Sequence, residues 1–338
     1  METDSMVATA LALVAPGKGI LAADESTPTM AKRLAAIGLE STEPRRRAYR
    51  EMLFRTPGLG GFISGVILYD ETIRQCAADG TPLVQVLRDQ GILPGIKVDA
   101  GTKALAGFPE EVVTEGLDGL RGRLEEYAAL GARFAKWRAV IRVKGGLPSA
   151  TCLEANAHAL ARYAALAQEA GLTPIVEPEV LMDGDHTLDR CAQVTVAVLR
   201  AVYDQLARHR IHLEASLLKP NMVLPGQDCP VAASDEEIAE QTIKVMRQVV
   251  PAAVPGLVFL SGGQSDQQAT ARLDALNRKP AQPWQLSFSF GRALQAPVLR
   301  AWAGDEANTG AAQDALRKRA DLNAAARRGS YVPDMEDA

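Results

Sequence analysis

The feature that most constrains the fold is a pattern that recurs eight times in the chain: a short apolar run ends at a polar residue, and a segment with helical periodicity follows. These runs are Gly19–Ala23, Gly61–Tyr69, Gly95–Ile96, Ala132–Ala135, Thr173–Val176, Ala215–Leu218, Gly256–Leu260 and Gln285–Phe290. Eight strands alternating with helices indicate an α/β fold, namely a closed parallel (β/α)8 TIM barrel. A doubly wound open sheet is the alternative.

The helical segments carry their own boundary signals. Ser234, followed three residues later by Glu237, is typical of a capping box that begins a helix. No change of composition and no Gly/Ser linker divides the chain, so we expect a single domain over residues 1–338. Gly304–Ala326 is predicted to be a C-terminal helix, and residues from about 327 to 338 a flexible tail.

Composition excludes several classes of protein. A net charge of −4 with both signs interspersed argues against general nucleic-acid binding. The four cysteines are widely spaced without a CxxC pair, and the four histidines have no cluster of carboxylates or thiols beside them, so no metal site is expected. No nucleotide-binding motif, secretory signal or apolar run of membrane-spanning length occurs. We expect a cytoplasmic protein without a cofactor, a nucleic-acid partner or a membrane partner.

Lys219 ends the sixth apolar run and is followed by Pro220, which cannot donate to a sheet and disfavours helical geometry at the residue before it. Lys219 is therefore predicted to end a strand, at the rim of the sheet. Burial favours the neutral form of an amine, and a neutral amine attacks a carbonyl carbon to form a Schiff base. Because a lysine taken alone is more often exposed or paired with a carboxylate, its neighbours must decide between the two interpretations.

In a TIM barrel, the chemistry lies at the C-terminal ends of the strands. The residues that the pattern places there are Asp24, Lys97, Lys136, Arg138, Glu177, Glu179, Lys219, Ser261 and Arg292. Charged side chains are rarely buried unless they are paired, so the barrel turns scattered charges into one cluster. We expect its cations to repel one another, to activate the least solvated lysine and to attract an anionic, phosphorylated substrate.

Two segments are candidate anion sites. Ser261, Gly262 and Gly263 form a turn whose glycines let backbone N–H groups approach an anion, and Arg292 follows the next strand, in the order of a TIM-barrel phosphate site. The second candidate site follows the first strand and comprises Ser26, Thr29, Lys32 and Arg33. An exposed helix face is the alternative interpretation of this second segment.

Carboxylates supply the candidate acids and bases. Glu177 and Glu179 alternate along one strand, so both can face the mouth of the barrel. For Glu179, a structural ion pair with Lys136 or Lys97 is an equally weighted alternative. Asp24 has an alternative role as the cap of the helix that follows it.

Seven motifs together resemble class I fructose-bisphosphate aldolase, over about residues 15–319. They are Leu21–Thr27, Gly95–Asp99, Phe134–Arg138, Val176–Glu179, Leu217–Met222, Phe259–Gln264 and Gly291–Gln295. The resemblance implies a TIM barrel, usually tetrameric and metal-independent. It also implies reversible cleavage of fructose 1,6-bisphosphate to dihydroxyacetone phosphate and glyceraldehyde 3-phosphate, in glycolysis and gluconeogenesis.

The resemblance also implies roles for individual residues. Lys219 would form the Schiff base, Glu177 would be the general acid and base for dehydration of the carbinolamine, Asp24 would take the C4 hydroxyl proton, and Lys136 would assist the charge balance of that step. Glu179, the second carboxylate of its strand, is a further catalytic candidate. The implied contacts of the C1 phosphate are Ser261, Gly262, Gly263, Ser289 and Arg292. Those on the side of the C6 phosphate are Lys97, Ser26, Thr29, Lys32 and Arg33. Arg138 is a further predicted substrate or phosphate contact.

The chain departs from the family pattern in three places. Pro28 stands where the family usually has glycine, Phe290 replaces a tyrosine, and the terminal tyrosine is missing. Two other functions are alternatives. The first is another aldolase, either a lysine aldolase with a different sugar phosphate or a metal-dependent aldolase, and the second is a binding or scaffolding barrel with vestigial catalysis. A scaffold would have no reason to gather so many charged side chains, which favours the enzyme.

Overall fold

The computed structural model describes residues 2–337, and its central element is a closed barrel of eight parallel strands, as predicted. Together with a two-stranded antiparallel hairpin formed by β4 and β5, the strands are β1 Gly19–Ala22, β2 Ile63–Leu68, β3 Leu93–Lys97, β4 Thr102–Ala104, β5 Val112–Thr114, β6 Phe134–Ile141, β7 Thr173–Val180, β8 Leu217–Leu218, β9 Gly256–Phe259 and β10 Gln285–Phe290. The hairpin interrupts the βα alternation and was not predicted from the sequence.

Helices connect the strands and form the outer layer. They are α1 Glu2–Leu13, α2 Thr27–Ala35, α3 Glu43–Phe54, α4 Asp70–Ile73, α5 Leu83–Asp89, α6 Leu120–Ala129, α7 Ala150–Glu169, α8 Leu188–Arg208, α9 Asp235–Val249, α10 Asp266–Asn277, α11 Arg292–Trp302 and α12 Thr309–Arg327. Short 3₁₀ helices lie at Leu59–Gly61, Leu213–Ala215, Glu306–Asn308 and Pro333–Glu336. The predicted capping box is confirmed, because Ser234 and Glu237 exchange hydrogen bonds at the start of α9.

The strand order around the barrel is β1, β2, β3, β6, β7, β8, β9, β10 and back to β1. The interior is filled by apolar side chains, including those of Ile20, Ile67, Phe134 and Val258. Large and small residues alternate there: a Cβ at Gly95 would lie only 2.2 Å from the ring of Phe134. The centre of the barrel is therefore packed, which leaves its two ends for surface functions.

Helix α1 covers the N-terminal end of the barrel. Thr173 Oγ1 donates to the carbonyl of Met6 over 2.9 Å, and Ser64 Oγ donates to the carbonyl of Leu13 over 2.6 Å. On the same side, the buried guanidinium of Arg327 donates to the carbonyls of Val14 and Leu286. With this end closed by backbone contacts, a ligand must enter at the opposite end.

Strands β6 and β7 are longer than the apolar runs that predicted them. They pair in register over eight residues, from Phe134 opposite Thr173 to Ile141 opposite Val180. The polar residues that the sequence placed at the strand ends are therefore inside these strands, where the backbone hydrogen bonds between β6 and β7 fix the direction of their side chains. β8 is only two residues long, but the N–H of Lys219 still donates to the carbonyl of Val176 over 2.8 Å.

The predicted C-terminal helix is present as α12, preceded by a separate 3₁₀ turn. Beyond it, Tyr331 is buried and its N–H donates to Asp274 Oδ1 over 2.9 Å. Glu336 pairs with the buried Arg319 at 2.6 Å. The flexibility expected for the tail remains a prediction, and its last residue lies outside the described part.

Candidate active site

A polar cleft of about 220 Å³ opens at the C-terminal ends of the barrel strands. The predicted site residues that line it are Asp24, Ser26, Thr29, Arg33, Lys97, Lys136, Arg138, Glu177, Glu179, Lys219, Ser261, Gly262, Ser289 and Arg292. The other two predicted residues, Gly263 and Lys32, are exposed and do not line the cleft. Barrel closure thus gathers side chains from seven of the eight strand ends, since only β2 contributes none of them.

A chain of four alternating charges lies at the centre of the cleft. Lys219 Nζ is 3.1 Å from Glu177 Oε1, and Lys136 Nζ is 3.1 Å from Glu177 Oε2 and 2.7 Å from Asp24 Oδ2. Lys219, Lys136 and Glu177 each expose 5% or less of their side chains. The contact between Glu177 Oε2 and Lys136 is an ion pair without hydrogen-bond geometry, so this buried oxygen has an acceptor position to spare.

Neighbouring opposite charges set the ionisation of the side chains at the centre of the cleft. Burial acts to raise the pKa of Asp24 and of Glu177, but the nearby charges of Lys136 and Lys219 outweigh it and hold both pKa values below their usual range. Burial acts to lower the pKa of Lys136, and the two carboxylates raise it instead. Both carboxylates are therefore ionised at neutral pH, ready to accept a proton.

The repulsion expected among the cations of the cleft is offset, because each has an oxygen partner. Lys97 pairs with Asp99, whose backbone carbonyl also accepts from Lys97 Nζ over 2.9 Å. Glu179 pairs with Arg138, and not with either lysine that was considered for it. Interleaved acids thus keep the cleft close to neutral while leaving several cations within reach of a phosphate.

The alternative role of Asp24 as a helix cap is not observed. The residue at the N-cap of α2 is Ser26, which makes no side-chain capping bond and instead shares a 3.1 Å hydrogen bond with Thr29. Pro28 lies within the first turn of the same helix, where its missing N–H has no partner to lose. Asp24 is left to contact Lys136, which places it in the charged chain.

The loops after β9 and β10 form the other wall of the cleft. The hydroxyl of Ser289 is buried and makes no hydrogen bond within the described residues, and Ser261 is also buried. Arg292 donates to the carbonyl of Gly262. The N–H of Gly263 lies 3.1 Å from Met182 Sδ, so this N–H does not face the cleft. An unpartnered hydroxyl and a guanidinium in the lining of the same cleft are suited to an oxyanion.

Sequence reasoning missed four residues that support the site. Asp99 holds Lys97, and Glu25 contacts both Arg33 and Arg50, with Gln295 beside it. Asp99, Glu25 and Gln295 lie inside the quoted motifs, which was the available signal. Arg50 lies in the middle of α3 and had no signal of its own.

Two further findings concern the described residues as a whole. They contain no group of three or more histidine, cysteine, aspartate or glutamate side chains arranged to hold a metal ion. Among the helices in residues 2–337, none has both the length and the apolar character needed to cross a membrane.

The barrel and the buried lysine–glutamate pair at its mouth define a (β/α)8-barrel enzyme equipped for amine chemistry on a carbonyl. Comparison with known families narrows this class. The family model for class-I fructose-bisphosphate aldolase matches residues 5–338. The chain belongs to this family.

Individual relatives agree over the whole length. The chain is 54% identical over 332 residues to a probable class 1 fructose-bisphosphate aldolase of Xanthomonas campestris, covering 98% of this chain and 99% of that one. It is 53% identical to the cytosolic fructose-bisphosphate aldolase 6 of Arabidopsis thaliana, covering 98% and 93%. A solved structure of Plasmodium falciparum aldolase, complexed with TRAP and an inhibitor, matches at a TM-score of 0.97, 46% identity, and 98% and 96% coverage.

Family membership establishes the reaction. The protein is a lyase that reversibly cleaves fructose 1,6-bisphosphate to dihydroxyacetone phosphate and glyceraldehyde 3-phosphate, a step of glycolysis. Class I enzymes work through a lysine Schiff base and need no metal ion. The family resemblance inferred from the seven motifs is confirmed, as is the barrel.

Proposed function

We propose that Lys219 is the Schiff-base lysine and that Glu177 is the general acid and base that serves it. The observation that carries the proposal is one buried carboxylate bridging two buried lysines, 3.1 Å from each ammonium nitrogen. A carboxylate at this distance can take a proton from the attacking amine and return it to the leaving oxygen. Among the described lysines, Lys219 is the one that combines this contact with a position at the end of a barrel strand.

The proposed sequence of steps begins with transfer of a proton from Lys219 to Glu177. The neutral amine attacks the ketose C2 and forms a carbinolamine, whose hydroxyl leaves as water with the proton from Glu177. The resulting iminium withdraws the electron pair of the C3–C4 bond, which replaces the Lewis acid that a metal would supply. The enamine that remains takes a proton at C3, which balances the proton given up by the C4 hydroxyl, and so becomes an iminium again. Water hydrolyses this iminium, which releases dihydroxyacetone phosphate and frees Lys219.

Asp24 is proposed to accept the proton of the C4 hydroxyl as the C3–C4 bond breaks. Its lowered pKa keeps it ionised before that step, and Lys136, 2.7 Å away, balances the charge. Protonation of Asp24 leaves Lys136 paired with Glu177 alone. Glu179 has the lesser role of holding Arg138 at the edge of the cleft.

The two phosphates are proposed to occupy opposite sides of the cleft. Ser261, Gly262, Ser289 and Arg292 would hold the C1 phosphate. The C6 phosphate would lie near Lys97, Ser26, Thr29 and Arg33, with Arg138 close by. Gly263 and Lys32 remain predicted contacts that would need a local rearrangement to reach the substrate.

The setting of the enzyme is also a proposal. We infer a homotetramer, because the family is usually tetrameric. We infer a cytoplasmic location from the cytosolic relative of Arabidopsis thaliana and the cytoplasmic isozyme of Cicer arietinum. Sedimentation of the purified protein tests the assembly, and a species smaller than four chains would contradict it.

Reductive trapping tests the Schiff base. Incubation with fructose 1,6-bisphosphate and borohydride, with EDTA present, should inactivate the enzyme and add one triose phosphate to each chain. Peptide mass spectrometry should locate the adduct on Lys219. An adduct on Lys136 would reverse the assignment, and loss of activity with EDTA alone would contradict a metal-independent reaction.

Arg292→Ala tests the C1 phosphate site. The guanidinium is exposed at the first turn of α11 and has a carbonyl partner in place of a carboxylate, so its loss should leave the fold intact. We expect KM for the bisphosphate to rise roughly tenfold to a hundredfold, the effect of one hydrogen bond to a charged group. Arg300→Ala, on the exposed side of the same helix, is the control; an unchanged KM in Arg292→Ala would place the phosphate elsewhere.

A further inference from the structure

A buried polar network lies behind the cleft, and it centres on Glu25. The side chain of Glu25 is 4% exposed, and its Oε1 pairs with Arg33, which lines the cleft. Its Oε2 lies 3.1 Å from the guanidinium of Arg50, which is 1% exposed. One buried carboxylate thus connects a guanidinium of the cleft with another in the interior.

Gln295 fixes this carboxylate from a third direction. Its fully buried amide donates through Nε2 to Glu25 Oε1 over 2.8 Å and to the carbonyl of Ala22 over 2.7 Å. Its Oε1 accepts from the hydroxyl of Tyr49 over 3.1 Å. Because a backbone carbonyl can only accept, the amide nitrogen must face Ala22, and the orientation of the side chain is unique.

The positions of these partners along the chain give the contact its importance. Ala22 ends β1, two residues before Asp24, and Gln295 lies in the first turn of the helix that Arg292 begins. One amide therefore joins the strand end that carries Asp24 to the helix that carries Arg292. Through Glu25 it also reaches Arg33 on α2.

We propose that Gln295 is a positioning residue: its amide holds Glu25, and through Glu25 it holds the guanidinium of Arg33 where a substrate phosphate binds. The inference rests on the proposed function, because it takes Arg33 as a phosphate contact. Without the amide donor, Arg33 is the remaining partner of Glu25 Oε1. Glu25 Oε2 still contacts Arg50, but the carbonyl of Ala22 at the strand end loses its bond from Gln295. Glu25 then competes more strongly with the phosphate for the guanidinium of Arg33, and the position of Arg33 is less well defined.

A double-mutant cycle tests this coupling. Gln295→Met keeps the length of the side chain and removes its hydrogen bonds. We expect KM for fructose 1,6-bisphosphate to rise roughly tenfold, which corresponds to the loss of one hydrogen bond to a charged group. We expect kcat to stay within about threefold, because a phosphate contact away from the reacting bond stabilises the ground state and the transition state equally. In an Arg33→Ala background the same substitution should raise KM by less than about twofold, because the guanidinium through which Gln295 acts on the phosphate is already absent.

Tyr49→Phe provides a second variant that keeps Gln295. It removes only the hydroxyl that donates to the amide oxygen, and we expect KM to rise about twofold to threefold, again only when Arg33 is present. This variant decides the proposal if Gln295→Met fails to fold. Asn323→Ala is the matched control, because Asn323 is another fully buried amide whose bonds go to Thr270 and Arg319; it should lower Tm without changing KM.

Three outcomes would overturn the proposal. An unchanged KM in a folded Gln295→Met or, failing that, Tyr49→Phe variant would remove the positioning role. A rise in KM that is equally large with and without Arg33 would show a general structural effect. A fall in kcat with KM unchanged would place the role in the chemical step. Borohydride labelling of Lys219 in the wild type is measured beside these variants, so a failure of the Schiff-base assignment is seen separately.

Discussion

Lys219→Met is expected to abolish cleavage of fructose 1,6-bisphosphate while the protein stays folded. Methionine has a similar length but no amine, so neither carbinolamine nor imine can form, and kcat should fall by roughly 10⁴-fold or more. The fold should survive because Glu177 keeps Lys136 as a partner at 3.1 Å. Steady-state kinetics and circular dichroism measure the two effects.

Lys219→Arg is the matched control for charge. It keeps a cation near Glu177, but a guanidinium stays protonated and does not form a Schiff base. The two variants should therefore be equally inactive, and neither should be labelled by substrate with borohydride. Turnover within about tenfold of wild type in either variant would contradict the nucleophile assignment.

Lys136→Met is expected to damage both activity and stability, because it removes the cation between Asp24 and Glu177. Lys136 is 4% exposed and contacts both carboxylates, so its loss leaves two buried acids with reduced compensation. The pKa of each acid should rise, so a smaller fraction of each is ionised at neutral pH and free to accept a proton. We expect kcat to fall roughly 10³-fold and the free energy of unfolding to drop by about 3–5 kcal/mol.

Lys144→Met is the matched control for this prediction. Lys144 is 61% exposed and pairs with Glu110 at 2.8 Å, and a surface ion pair of this kind contributes about 0–1 kcal/mol. Urea denaturation and kinetics on both variants give the comparison. Equal stability losses, or a Lys136→Met enzyme with normal kcat, would contradict the central role of Lys136.

Much of the architecture could be predicted from the sequence because its signals are local. The alternation of apolar runs with helical segments predicted all eight barrel strands, and the capping box of Ser234 and Glu237 marked the start of α9. The N-terminal helix α1 and the hairpin of β4 and β5 were missed, since neither belongs to the alternation of strand and helix that predicted the barrel. The ends of β6 and β7 were placed too early, because paired strands can continue through charged residues whose partners lie on other strands.

The sequence predicted which residues line the candidate site better than it predicted which of them contact one another. Each motif named residues at one strand end, and most of them line the cleft. Their partners could not be predicted: Glu179 pairs with Arg138, and Lys97 pairs with Asp99. The expectation that repulsion among the cations would dominate the cleft was wrong for this reason, since the motifs did not reveal that acids lie between the cations and offset it.

The sequence by itself determined the barrel, the family and the lysine that ends the sixth apolar run, because periodicity and motif order are properties of neighbouring residues. Only the tertiary structure decided that Glu177 bridges Lys219 and Lys136 and that Asp24 is the fourth charge of this series. It also decided that Gln295 contacts Glu25, the partner of Arg33. These contacts join residues that are far apart in sequence. Ionisation and hydrogen bonding depend on distances of a few ångströms, and closure of the barrel sets those distances.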